Sequence, residues 1–122
     1  MIRGYCALLA TVLLLGCSSS RSESDIERGR QAVCAALDAW KAREPASQLL
    51  ARPDPIDFYE ELQSTHKLLE YSLLSVDASD KEVIRYTVTL KLADKKGKPS
   101  TREAVYAVVL RSPIAVTRDP YY

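Results

Sequence analysis

Apolar and polar positions alternate with one period in the first half of this chain and another in the second, and the change predicts its elements. Residues 7–15 are apolar apart from Thr11, a run short of the ~20 residues a helix needs to cross a hydrocarbon core. A serine-rich polar stretch follows at 18–24. Ile26, Val33, Leu37 and Trp40 then recur at helical spacing, with Gly29 and Ala36 in the same stripe. Ser24-Asp25-Ile26-Glu27 has capping-box form, so a long helix is predicted from there to Arg43, ahead of Pro45. Trp40 is its expected main anchor, because a buried indole removes a large apolar area from water. Pro45 suits the start of one more turn over 46–51, and Arg52-Pro53-Asp54-Pro55 imposes an extended link. Phe58 and Leu62, behind the acidic Asp57, Glu60 and Glu61, predict a short helix over 57–65.

From Leu68 the period is two. Leu69, Tyr71 and Leu73 alternate with Glu70 and Ser72, which predicts a first strand. Residues 77–81 form a turn cluster, and Ile84, Tyr86, Val88, Leu90 and Leu92 then alternate with Arg85, Thr87, Thr89 and Lys91. Asp94-Lys95-Lys96-Gly97-Lys98 matches a three-residue hairpin loop with Gly in the left-handed position. That loop sets Tyr86 opposite Tyr106, Val88 opposite Ala104 and Ile84 opposite Val108. Strand 102–110 is apolar on both faces, the mark of a central strand covered on both sides. Ser112-Pro113 turns the chain into a last strand at 114–117. The fold class is α+β: a long N-terminal helix and a short second helix packed on a curved four-stranded antiparallel meander.

The start of the chain adds an address. Arg3, the apolar run and a small residue at its end describe a secretory signal peptide. Leu14-Leu15-Gly16-Cys17 resembles the lipobox of bacterial lipoproteins. The resemblance implies cleavage between Gly16 and Cys17 and lipid attachment at Cys17. Two or three acyl chains, each contributing about 0.8 kcal/mol per buried methylene, hold such a protein firmly on a bilayer. The expected organisation is a signal peptide at 1–16, a lipidated Cys17 with a flexible polar tether at 17–24, one domain at 25–118 and a frayed tail at 119–122.

Charge and cysteines narrow the chemistry. Losing Arg3 with the signal leaves 16 basic residues of 17 against 16 acidic ones, a balance that gives no reason to expect nucleic acid. Of three cysteines, Cys6 leaves with the signal and Cys17 takes the lipid, so Cys34 has no disulfide partner and is expected as a small buried hydrophobe. His66 is the single histidine, which excludes a histidine-pair metal site; it is expected to complement a helix end. Glu60 and Glu61 are expected to be solvated. No catalytic constellation, metal site or cofactor is expected. Lys95, Lys96 and Lys98 make a basic hairpin tip, read first as a soluble loop and second as a phosphate or lipid-headgroup contact. Trp40, Tyr86 and Tyr106 are the candidates for lining a small-ligand pocket between helix and sheet; an aromatic core is the competing use.

The order of a long amphipathic helix, a shorter helix and a meander resembles the cystatin-like and nuclear-transport-factor-2-like folds. The phrases Ala36-Leu37-Asp38-Ala39-Trp40-Lys41 and Lys67-Leu68-Leu69-Glu70-Tyr71, and the 86–106 hairpin, are similar to those of small bacterial lipoproteins of that architecture. The protease wedge of true cystatins, Gln-x-Val-x-Gly, does not occur in this chain. The expectation is a lipid-anchored, non-catalytic interaction module in the cell envelope, with Ser18 favouring the outer membrane. Its partner would be an envelope protein or a second copy, meeting the second face of strand 102–110. A small-ligand carrier is the alternative, and an enzyme of the cone fold comes third.

Overall fold

The computed structural model describes residues 22–120; the lipobox and residues 121–122 lie outside them. Helix α1 spans Glu23–Ala42 and α2 spans Ala46–Leu50. Strand β1 (Ile56–Tyr59) is followed by a 3-10 turn at Glu61–Ser64. Strands β2 (Lys67–Asp77), β3 (Ile84–Ala93), β4 (Pro99–Val109) and β5 (Ile114–Arg118) complete the chain.

α1 starts earlier than expected. The Ser22 side chain accepts the Asp25 N–H at 3.2 Å, so residues 22–24 form the cap and first turn and not part of the tether. Glu27 does not complete a capping box, because its carboxylate accepts from Arg30 and Gln31. At the other end Glu44 N–H reaches Ala39 O at 2.9 Å and Arg43 N–H reaches Trp40 O at 3.0 Å. Those two bonds are the Schellman closure, with Arg43 in the left-handed conformation (φ 61°) where glycine is usual.

The sheet has five strands in the order β1-β5-β4-β3-β2, and β1 runs parallel to β5. The expected four-strand meander and the expected helix over 57–65 are both corrected by this. Ile56 and Phe58 are buried while Asp57 and Tyr59 are exposed, a period of two over too few residues to be distinguished from a helical turn. The β3–β4 hairpin has the expected register, with Tyr86 opposite Tyr106, Val88 opposite Ala104 and Ile84 opposite Val108. In β2 the register shifts at Leu69 and again at Leu74, so Leu68 faces the core in place of Leu69. Two bulges on an edge strand also disturb the ladder that another chain would need for pairing.

Both helices pack on one face of the sheet. Val33, Ala36, Leu37 and Trp40 of α1 and Leu49 of α2 meet the buried positions of all five strands in one core. On the opposite face Val105, Ala107 and Ala115 are half-buried, although strand 102–110 was expected to be covered on both sides. Asp119 is not frayed: its N–H reaches Val105 O at 2.8 Å and its carboxylate pairs with Arg85 at 3.0 Å. Among the described residues no helix is long and apolar enough to cross a membrane.

Candidate functional site

The three residues expected to line a pocket are all interior. Trp40, Tyr86 and Tyr106 are 4%, 1% and 0% exposed and belong to one hydrophobic cluster. Each polar atom is taken by the protein. Trp40 Nε1 donates to His66 O at 3.1 Å, tying the end of α1 to the start of β2. The Tyr86 hydroxyl donates to Ile26 O at 2.6 Å, on the first turns of α1. It reaches that carbonyl across Gly29, where a Cβ would fall inside van der Waals contact of the phenol oxygen. Tyr106 stacks obliquely against Phe58, with ring centroids 6.1 Å apart. This trio therefore does the work of a core in which every polar tip is satisfied.

Sequence reasoning missed the buried acid beside Tyr106. Glu60 is 4% exposed, against the expectation that it is solvated, whereas Glu61 does face solvent. Glu60 Oε2 accepts the Tyr106 hydroxyl at 2.7 Å, while Oε1 accepts Leu62 N–H and Arg118 Nε, each at 3.1 Å. Burial, and next the Glu60 carboxylate, push the Tyr106 phenol well above its ordinary range. A buried acid and a tyrosine can do proton-transfer chemistry when one of them has a free lone pair or proton aimed at a substrate. In this chain the carboxylate is engaged on both oxygens and joins β1, β4 and β5 at the sheet edge. The signal was available in the alternation Ile56, Phe58, Glu60, all inward, with Asp57, Tyr59 and Glu61 outward.

A second phenol is fastened in the same manner. Tyr71 on β2 donates to Asp38 Oδ1 at 2.7 Å on α1, and burial followed by that carboxylate raises its pKa. Cys34 is partly buried beside it. His66 follows the 3-10 turn and not a longer helix, and its Nδ1 lies 2.7 Å from Thr65 Oγ1. Cys17 and Gly16 lie outside the described residues. Among the described residues no group of three or more His, Cys, Asp or Glu side chains is placed to hold a metal.

The sheet face opposite the helices is covered by neither of them. Val105, Ala107 and Ala115 give it an apolar middle. Arg85, paired with Asp80 and Asp119, borders it on the β3 side. No protein-family model, no curated protein and no solved structure matches this chain.

Proposed function

We propose that this chain is an exported, lipid-anchored envelope protein whose α+β domain is a non-catalytic interaction module. The anchoring half rests on Leu14-Leu15-Gly16-Cys17 and the short apolar run before it. The interaction half rests on one observation: both helices cover the same sheet face, and the apolar middle of the other, at Val105 and Ala107, is half-exposed. An apolar patch rimmed by charge is the common form of a protein contact surface. A non-catalytic role is supported by Glu60, whose carboxylate is fully engaged by Tyr106, Leu62 and Arg118. Kinship with the cystatin-like or nuclear-transport-factor-2-like folds belongs to the same proposal, supported by the helix-then-meander order. The carrier reading gains no observation, since Trp40, Tyr86 and Tyr106 each spend their polar atom inside the core.

One experiment with two arms tests both halves. Cys17→Ser should move the protein from the membrane to the soluble fraction after detergent-free lysis; unchanged sedimentation ends the anchoring half. A photo-crosslinking residue at Ala107 in the full chain should give a discrete adduct in native envelopes, either with a second copy or with another protein. A chain that stays monomeric by light scattering and gives no adduct ends the interaction half.

A further inference from the structure

Three segments distant in sequence meet at the end of the molecule where α1 finishes. The last turn of α1 brings Arg43, the entry to β2 brings His66 and Lys67, and the β3–β4 hairpin tip brings Lys95 and Lys96. Between them lies an open cleft of about 600 Å³, within the range of small-ligand sites. The segments are held firmly. The Trp40–His66 hydrogen bond clamps α1 to the turn, and Lys67 pairs in register with Ala93 across the sheet.

The charge of this cleft is one-sided. Arg28, Arg30, Arg85 and Arg118 each pair with a carboxylate, but Arg43, Lys67, Lys95 and Lys96 have no ion-pair partner among the described residues. Among the described residues the one carboxylate lining the cleft is Asp94, whose Oδ1 accepts the N–H groups of Lys96 and Lys98, both at 2.9 Å. Glu44 lines a smaller hollow that shares Arg43, His66 and Lys67 with the cleft. Of the carbonyls in the last turn of α1, those of Ala39 and Trp40 already accept from Glu44 and Arg43.

Like charges gathered without counter-charge destabilise a fold, and a bound anion relieves that repulsion. A phosphate group fits the cleft better than a carboxylate. Its charge of about −1.5 to −2 as a monoester and its several acceptor oxygens match four cations on different sides, and the guanidinium of Arg43 can grip two oxygens at once. We propose that the cleft bounded by Arg43, His66, Lys67, Lys95 and Lys96 is a binding site for a phosphate-bearing anion. The group could be delivered by a soluble phosphate ester or by a lipid headgroup. Both present the same chemistry.

The test uses the full-length chain in neutral detergent, titrated with inorganic phosphate while backbone amide shifts of His66, Lys67 and Gly97 are followed. A second arm replaces phosphate with micelles doped with phosphatidylglycerol, compared with phosphatidylcholine. Two variants remove charge without endangering the fold: Arg43→Gly, which places glycine where the backbone favours it, and Lys95→Gln with Lys96→Gln on an exposed loop. We expect saturable shifts, weakened roughly three- to fivefold by Arg43→Gly, in keeping with one partly exposed charge pair. The lysine pair should cost about tenfold, as two such contacts combined. A response to free phosphate assigns a soluble source, and a response to phosphatidylglycerol alone assigns a headgroup. The site is refuted if neither probe shifts those amides, if chloride at equal ionic strength does so equally, or if both variants titrate like the parent.

Discussion

A glycine inside a helix weakens it by roughly 0.5–1 kcal/mol relative to alanine, yet Gly29 sits in the middle of α1, facing the sheet. Its reason is the Tyr86 hydroxyl, which occupies the space a methyl group would need. Gly29→Ala should therefore destabilise the protein by about 1–3 kcal/mol in chemical denaturation, the usual range for overpacking, despite better helix propensity. Tyr86→Phe removes the crowding oxygen, so the same substitution in that background should cost clearly less than in the parent. Equal penalties in both backgrounds would mean that the phenol is not what excludes a side chain. Tyr71 and Tyr106 make a second residue-scale prediction. Both hold their protons more tightly in the folded state than the ordinary value of 10.0, through burial first and then Asp38 or Glu60. The stability this contributes is complete below pH 10.0 and is lost as pH rises through the folded-state values. Phenolate absorbance should show Tyr71 and Tyr106 protonated beyond pH 10.0 until the chain unfolds, with Tyr71→Phe and Tyr106→Phe each removing one such late-titrating phenol.

At the scale of elements, what could be foreseen depended on how far apart the partners stand in sequence. The β3–β4 hairpin was legible because Asp94 and Gly97 specify the turn and the alternating residues on either side specify the faces. α1 was legible from its stripe, though Ser22 and Ser24 both precede an acidic turn and the structure uses the first. β1 was not legible. It has four residues, and the strand that justifies it, β5, is at the other end of the domain. Glu60 was missed for the same reason, since Tyr106 and Arg118 reach it from β4 and β5. The slip at Leu69 was hidden because either of the adjacent Leu68 and Leu69 can serve as the inward position. Arg43 carries the element-scale prediction. A non-glycine residue in the left-handed region costs roughly 1–2 kcal/mol, so Arg43→Gly should raise stability by about 0.5–1 kcal/mol once the glycine's greater unfolded-state freedom is subtracted. Thermal denaturation should register the gain, and a loss would mean that the Arg43 side chain holds the helix end through its stem.

At the scale of the whole molecule, the core binds five strands to two helices on one side only, which separates two surfaces by chemistry. One is the half-buried apolar middle of the sheet face away from the helices, where the protein contact is proposed. The other is the cationic end cleft, where the phosphate site is proposed. Neither shares a side chain with the Glu60 cluster, so substitutions at Ala107 or Lys95 can be read without disturbing the sheet edge. The length of α1 sets the distance between the chain's two ends of interest. Twenty residues of α-helix extend about 30 Å, comparable with the thickness of a bilayer's hydrocarbon core. Its first turn follows Ser22, and its last turn leads into Arg43. If the proposed lipid at Cys17 holds the chain, the anchored end in sequence and the cationic cleft stand at opposite ends of one helix, a helix length apart.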